Sequence, residues 1–170
     1  MARGGIIAYP TEAVWGLGCD PENAAAVNRL CELKGRSLHK GLILIAGAME
    51  QLEPWLPHLA AEDRARMLET WPGPHTWLVP CTREVPWLTG QFSSIALRLS
   101  DHPLVVALCQ SLGHALVSTS ANPQGRAPAR SARTVRRYFA SNVDYIVPGP
   151  TQGLFQPSSI HDLATGARLR

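Results

Sequence analysis

Short apolar runs of strand length alternate along this chain with segments whose apolar residues recur at helical spacing. The sequence predicts strands at 6–9, 42–45, 76–79, 94–99, 115–118, 145–147 and 158–163. It predicts helices at 21–34, 62–71, 101–112 and 131–139. Such alternation is typical of an α/β or α+β fold, in which helices pack on a sheet. We expect the whole chain, 1–170, to form one domain.

Several element ends are also predicted. Asp20 is expected to cap the first helix, with Pro21 at its first helical position. Gly35 is expected to end that helix. The segment 16–18 (GLG) is only half of a GxGxxG fingerprint and is interpreted as a turn. The segment 71–74 (WPGP) predicts a break between elements.

Composition narrows the class of protein. Hydrophobic residues make up 45% of the chain, and the net charge of +3 is mild for a nucleic-acid binder. The cysteines form no CxxC pair and lie in or beside apolar runs, which favours buried, reduced thiols in a cytoplasmic protein; they are Cys19, Cys31, Cys81 and Cys109. The scattered histidines disfavour a zinc site. The N-terminal apolar run is too short for a signal peptide, and no run approaches the ~20 residues of a membrane span.

Three polar strings lie where predicted elements give way to loops: 9–18 (YPTEAVWGLG), 34–36 (KGR) and 118–122 (STSAN). Proteins built on sheets and helices place ligand-contacting groups at such points. Two cations with hydroxyls and an amide suit phosphate oxygens and a nucleotide. On spacing alone, however, Lys34 and Arg36 are more simply explained as cations near the negative end of a helix dipole. The chain contains no P-loop, GxGxxG or GxSxG motif.

Two kinds of titratable residue leave alternatives open. Glu12 either orients an amine or is a simple loop carboxylate. His75, His102 and His114 are more typical of turns or caps than of catalytic bases. The sequence therefore offers no catalytic triad for Ser118 or Ser120.

An arginine cluster without intervening acidic residues follows the third string: Arg126, Arg130, Arg133, Arg136 and Arg137. Arg133, Arg136 and Arg137 have the spacing of one helix face. This face either contacts RNA or a triphosphate, or is simply solvated. The candidate RNA-binding residues are Arg130, Arg133, Arg136 and Arg137.

The ordered set of strings resembles the YrdC/TsaC (RimN) family. Besides the three strings above, it includes 71–74 (WPGP), 96–98 (ALR) before 101–103 (DHP), and 157–160 (PSSI). The resemblance spans essentially the whole chain and is to the short, single-domain bacterial form. It implies a twisted mixed β-sheet flanked by helices, with a concave basic face.

The resemblance also implies an activity. The family is a group of nucleotidyltransferases that join L-threonine, bicarbonate or CO2, and ATP into threonylcarbamoyl-AMP, releasing pyrophosphate. This is the first step of t6A37 modification in tRNAs that read A-starting codons. The implied partner is a threonylcarbamoyl-transferase complex of the TsaB/TsaD/TsaE type, and tRNA or double-stranded RNA is a further candidate partner. Mg²⁺ is expected with the triphosphate, held mostly by phosphates and water rather than by protein ligands.

Residue roles follow from the same resemblance. A catalytic tetrad is implied at Lys34, Arg36, Ser120 and Asn122. ATP binding is implied at Arg36, Lys40, Ser94, Ser120, Asn122 and Arg170. Threonine binding is implied at Thr11, Arg98, Ser118 and Ser158. Arg98 suits the amino-acid carboxylate because its guanidinium can donate two parallel hydrogen bonds.

The sequence departs from the family pattern at three places. Relatives usually carry a helix before the first strand, whereas here a strand is predicted almost at once, so that helix is either dispensable or encoded ahead of this start. The family arginine near the nucleotide corresponds to Arg170, the last residue. Some relatives have a histidine where this chain has Ile45.

A second function of a different class stays open at this stage. The arginine cluster also fits an RNA-binding or ribosome-maturation factor that acts through a basic face. The tetrad favours the enzyme, whereas the cluster favours the RNA binder. Pyrophosphate release that requires both threonine and bicarbonate distinguishes the two.

Overall fold

A computed structural model describes residues 4–170. Residues 1–3, part of the N-terminal stretch considered for a signal peptide, lie outside the described residues. Within 4–170, the strands form one eight-stranded sheet. None of the helices in this range is both long enough and apolar enough to cross a membrane.

The elements follow one another with short connections. The strands are β1 (Ile7–Pro10), β2 (Trp15–Gly18), β3 (Ile43–Ala46), β4 (His75–Pro80), β5 (Ser94–Leu99), β6 (Leu116–Ser120), β7 (Tyr145–Ile146) and β8 (Ser159–Asp162). The helices are α1 (Ala24–Lys34), α2 (Ala61–Leu68), α3 (Pro86–Thr89), α4 (Pro103–Leu112) and α5 (Ala132–Phe139). Short 3₁₀ helices lie at Leu38–Lys40, Met49–Gln51, Glu53–Trp55 and Ala140–Asn142.

The sheet is mixed, as predicted, with strand order β7-β1-β2-β6-β3-β5-β4-β8. The pairs β1/β7, β3/β5 and β4/β8 are parallel. The pairs β1/β2, β2/β6, β3/β6 and β4/β5 are antiparallel. Non-consecutive strands therefore meet at the centre, where β6 lies between β2 and β3, and β3 lies between β6 and β5.

The two faces of the central strands differ in side-chain size. Leu17, Leu97 and Val117 are fully buried in the main core on one face. Successive strand residues point to opposite faces, so Gly16 and Ser118 lie on the other face. Because those residues are small, the second face is hollow over β2 and β6. This hollow is where a ligand can reach the sheet.

A smaller apolar cluster closes one end of the hollow face. Helix α4 packs there on β1 and β3. Tyr9, Ile45 and Leu116 of the sheet meet Val105 and Cys109 of the helix, and all five are buried. Ile45 is thus part of the packing under α4.

The interpretation of 16–18 as a turn was wrong, because Trp15–Gly18 forms strand β2. Gly16 pairs with Tyr9 on one side and with Ser120 on the other. Trp15 and Leu17 supply the buried face that holds the strand in place. The alternation of a glycine with a large apolar residue is a strand pattern of period two.

The predicted start of the first helix was also wrong. Asn23, rather than Asp20, is the N-cap of α1, and its Oδ1 accepts from the Ala26 amide at 3.0 Å. Asp20 accepts from the Glu22 amide at 2.9 Å in the turn before the helix. The predicted end is confirmed, since Gly35 adopts a left-handed conformation with φ 63°.

The cysteines largely follow the prediction of buried thiols. Cys19, Cys31 and Cys109 are buried, whereas Cys81 is partly exposed. Burial raises the pKa of the Cys19 thiol to about 12 and that of Cys109 to about 11. Both thiols are therefore protonated and unreactive at neutral pH.

Candidate active site

The hollow face of the sheet holds a cavity of about 500 Å³, a size typical of small-molecule sites. Residues from β2, β5, β6 and the segment after β1 line it. The sequence-predicted site residues that line it are Thr11, Arg36, Lys40, Ser94, Arg98, Ser118, Ser120, Ser158 and Arg170. Lys34 and Asn122 are absent from the lining. The fold thus brings most of the predicted residues together around one cavity and places Lys34 and Asn122 outside its lining.

Lys34 supports the wall rather than facing the cavity. Its side chain is buried, and its ammonium group donates to the carbonyl oxygen of Ser120 and, at 2.8 Å, to that of Asn122. Burial, with a smaller effect of nearby Arg36, lowers the pKa of Lys34 to about 8. The lysine at the end of α1 therefore fixes the chain where β6 ends.

Asn122 braces the loop that follows β6. Its Nδ2 donates to the carbonyl oxygens of Pro123 at 3.0 Å and Arg126 at 2.8 Å. Among the described residues, its Oδ1 is one of the buried polar atoms without a hydrogen-bond partner. Asn122 and Lys34 together hold the loop in one conformation.

Arg36 is the member of the predicted tetrad whose cation lines the cavity. Its Nη2 donates to the Gly41 carbonyl at 2.8 Å. Its Nε is buried and has no partner within residues 4–170. Burial lowers the pKa of the guanidinium, so an anionic ligand would stabilise its charged form. Lys40 lies one short turn further along the chain and is exposed.

Glu12 and Arg98 form a buried ion pair, with 2.5 Å between Glu12 Oε2 and Arg98 Nη2. Glu12 Oε1 accepts from the Ser100 hydroxyl at 2.6 Å. Arg98 Nε donates to the Gly73 carbonyl at 3.2 Å. Glu12 is therefore neither a simple loop carboxylate nor a free group that could orient an amine. It is the counter-ion that fixes Arg98 in the cavity wall.

The hydroxyl groups of the predicted threonine site are partly committed to the protein. Thr11 Oγ1 donates its hydrogen to the Val14 carbonyl at 2.7 Å. Toward a ligand, this oxygen can therefore act only as a hydrogen-bond acceptor. Ser158 Oγ lies 3.1 Å from Thr76 Oγ1. Ser118 Oγ lies beside the buried Tyr9 hydroxyl, whose pKa is raised by burial.

Cations outnumber acidic groups among the charged residues of the cavity wall. Arg170 Nη2 donates to the Ser158 carbonyl at 3.0 Å, and burial and then nearby Arg98 lower the pKa of Arg170. Together with Arg36 and Lys40, these arginines face one space. Glu12 is the only acidic side chain among the described lining residues. The cavity therefore suits a ligand with several negative charges.

Two of the three histidines lie in a turn or at a helix cap, as predicted. His102 is the N-cap of α4, and its Nδ1 accepts from the Leu104 amide at 3.2 Å. His114 lies in the bend before β6. The prediction for His75 was wrong, because it belongs to β4 and its Nδ1 lies 2.9 Å from Ser159 Oγ. Burial, with a smaller effect of His161, lowers the pKa of His75.

The arginines of α5 lie on the surface. Val135 and Phe139 point into the core, while Arg133, Arg136 and Arg137 are exposed. Arg130 precedes the helix, and its Nη2 donates to the Phe155 carbonyl at 2.9 Å. The single helix face predicted from the spacing is present.

Sequence reasoning did not single out the small residues on which the cavity depends. Gly16 and Ala96 line it on the same side as Ser118 and Ser120. The available signal was the alternation of these residues with Leu17, Leu97 and Val117 along three strands. That signal is visible only once 16–18 is recognised as a strand.

Comparisons with known proteins identify the family to which this chain belongs. The sequence model of the Sua5/YciO/YrdC family, described as "Telomere recombination", matches residues 1–170. A threonylcarbamoyl-AMP synthase of Nitrosococcus oceani is 55% identical over 168 residues, covering 98% of this chain and 91% of the relative. One of Chromohalobacter salexigens is 55% identical over 171 residues, covering 100% of this chain and 92% of the relative.

A solved structure of similar fold contains an amino acid. The crystal structure of P. abyssi Sua5 complexed with L-threonine superposes with a TM-score of 0.88 and 30% identity. The match covers 95% of this chain and 48% of the Sua5 chain. The chain thus spans about half the length of that Sua5 protein.

Proposed function

Because this chain belongs to the Sua5/YciO/YrdC family, we propose that it is a threonylcarbamoyl-AMP synthase. It would join L-threonine, bicarbonate or CO2, and ATP, and release pyrophosphate. The observation that carries the proposal is the cavity that gathers Arg36, Lys40, Arg98 and Arg170 around serine hydroxyls. The names of the curated relatives, and the L-threonine bound to Sua5, support it.

The chemistry fits a site without a covalent nucleophile. The threonine amine adds to CO2 and loses a proton, which gives a carbamate. A carbamate oxygen then attacks the α-phosphorus of ATP, and the bond to pyrophosphate breaks. Both steps need alignment and stabilisation of negative charge, which fixed cations and hydroxyls supply.

We assign the two ends of the cavity to the two larger substrates. Arg36 and Lys40 take the phosphates, with Ser94 and Ser120 as neighbouring hydroxyl groups. Thr11, Arg98, Ser118 and Ser158 take the amino acid. Lys34 and Asn122 contribute indirectly by fixing the loop after β6.

The donor set also fits Mg²⁺ bound to ATP. Glu12 is the one acidic side chain among the described lining residues, and it is committed to Arg98. The protein therefore offers hydroxyl oxygens, such as that of Ser120, and phosphates and water would supply the remaining ligands. Mg²⁺ would neutralise charge on the triphosphate.

We further place the reaction at the first step of t6A37 formation in tRNA, in the cytoplasm. A threonylcarbamoyl-transferase complex of the TsaB/TsaD/TsaE type would consume the product. Direct contact with tRNA is a second candidate function, and the exposed Arg133, Arg136 and Arg137 favour it. An RNA-binding protein without enzymatic activity remains the competing hypothesis.

One assay separates the enzyme from the RNA binder. Pyrophosphate release is measured with ATP and Mg²⁺, with and without L-threonine and with and without bicarbonate. The synthase requires both for release above background. Release that is absent under all conditions, or independent of threonine, would overturn the proposal.

A further inference from the structure

Gly16 lies beside two of the candidate amino-acid residues, Thr11 and Ser118. It belongs to β2, lines the cavity and pairs with Tyr9 of β1. A Cβ atom added there would lie 3.4 Å from Tyr9 Cζ, 3.5 Å from Ser118 Oγ and 3.5 Å from Thr11 Cγ2. These are close contacts without overlap. The missing side chain therefore leaves a space of about one methyl group.

The walls of this space are chemically mixed. Thr11 presents its methyl group, because its hydroxyl is directed to the Val14 carbonyl. Tyr9 presents the end of its ring, and Ser118 presents its hydroxyl. A side chain that carries both a methyl and a hydroxyl on one carbon matches such walls. A methyl meets Thr11 and Tyr9, while a hydroxyl pairs with Ser118.

We propose that Gly16 determines the size of the amino acid that the cavity accepts, because its missing Cβ leaves room for the substrate's β-methyl group. This rests on the proposed function, since it names a determinant of that same site. An alanine at this position fills the space from the protein side. Serine, which lacks the methyl, still fits, whereas threonine must shift.

The test is Gly16→Ala, assayed by pyrophosphate release with threonine and with serine. A methyl group in a pocket is worth about 1–3 kcal/mol, which is a factor of roughly 10 to 200. The ratio of kcat/KM for threonine to that for serine is expected to fall about tenfold or more. The KM for ATP is expected to stay within about twofold, since the added methyl would contact Tyr9, Thr11 and Ser118 rather than Arg36 and Lys40, to which we assign the phosphates.

A second variant distinguishes size selection from loss of structure. Thr11→Ser removes the methyl that faces Gly16 while keeping the hydroxyl. In the double variant, part of the space is restored, so the threonine-to-serine ratio is expected to rise above that of Gly16→Ala alone. If Gly16→Ala acted only by damaging the structure, adding Thr11→Ser would damage it further. It would not raise the threonine-to-serine ratio.

Gly113→Ala is the matched control. Gly113 is the C-cap of α4, away from the cavity lining, and an added Cβ meets nothing within 4 Å. Its φ of 77° makes alanine mildly strained, so stability falls while the ratio stays unchanged.

The outcomes separate the two proposals. If the wild-type chain shows no threonine-dependent release of pyrophosphate, the proposed function is wrong. If the wild type is active and Gly16→Ala lowers both substrates equally, or neither, the inference about Gly16 is overturned. A lowered ratio that the double variant restores supports it.

Discussion

Arg98 and Glu12 are held together by a 2.5 Å ion pair whose side chains are only 9% and 2% exposed. The pair joins β5 to the segment after β1, and Ser100 secures the second carboxylate oxygen. Arg98 is thereby fixed before any substrate arrives. Its positive charge is also balanced, so a carboxylate bound there, as we propose for threonine, would meet an oriented donor rather than an unpaired charge.

Changing Glu12 to Gln is expected to destabilise the fold by roughly 3–5 kcal/mol, because it leaves the Arg98 charge buried and unpaired. The free energy of unfolding, measured with denaturant, checks this. Glu53→Gln is the control, since Glu53 pairs with Arg64 on the surface and exposed pairs contribute little. Equal losses in the two variants would contradict the role of Glu12.

Lys34 gives the stability a pH dependence. Burial lowers its pKa to about 8 in the folded chain, from the ordinary value of 10.5 that applies to the unfolded chain. Between these values the unfolded chain binds the extra proton, so the contribution of Lys34 to stability rises with pH. Below about pH 8 the contribution is constant, because both states are protonated.

Lys34→Met is expected to remove this rise. The unfolding free energy of the wild type minus that of the variant should increase from pH 8 to pH 10.5. It should be constant from pH 6 to 7.5. Denaturant unfolding at a series of pH values measures it. Lys40→Met at an exposed lysine controls for the loss of one positive charge. A difference that does not change with pH would exclude the buried ammonium as its cause.

The sequence predicted where most strands and helices lie, because burial sets a clear period along β5, α4 and α5. It failed at β2, since two glycines in four residues resemble a turn when their partner strands are unknown. The alternation of glycine with Trp15 and Leu17 fits a strand as well as a turn, and the pairing with Tyr9 and Ser120 decides between them. The pairing with Ser120 is distant in sequence and has no local signal.

Most of the predicted site residues line one cavity, but their contacts within the protein were not predictable from the sequence. The family resemblance pointed to Arg36 and Lys34 alike, yet one lines the cavity and the other is directed to backbone carbonyls. Glu12 was left between two interpretations because its partner, Arg98, is distant in sequence. Which groups are already paired within the protein depends on tertiary contacts, which spacing does not reveal.

Arg36 and Lys34 are both expected to matter for the reaction, for different reasons. Arg36→Ala removes a cation from the proposed phosphate site, and such a contact is worth ~2–4 kcal/mol, or roughly 30- to 1000-fold in rate. Lys34→Ala is expected to lower the rate to a similar degree by releasing the loop of Ser120 and Asn122. Turnover of ATP and threonine, with circular dichroism to check folding, measures both. Near-normal rates in both variants would refute the site assignment.

Recovery of activity by conservative substitutions distinguishes the two roles. Arg36→Lys keeps a cation in the cavity and is expected to recover part of the activity lost in Arg36→Ala. Lys34→Arg is expected to recover little, since a longer, planar group does not fit the buried contacts with two carbonyls. Equal recovery at both positions would indicate that Lys34 also acts through its charge on the phosphates.

The exposed arginines of α5 provide the test of direct RNA contact. Replacing Arg133, Arg136 and Arg137 by Gln should leave adenylate synthesis nearly unchanged and weaken tRNA binding. Each lost phosphate contact removes ~0.7–0.9 from the slope of log affinity against log salt concentration. Binding titrations with tRNA at several salt concentrations give that slope.

Arg29→Gln, on the surface beside Asp144, controls for the loss of one exposed arginine elsewhere. Unchanged tRNA affinity at low salt would show that the face is merely solvated. Normal tRNA binding with loss of ATP binding would instead place these arginines with the triphosphate.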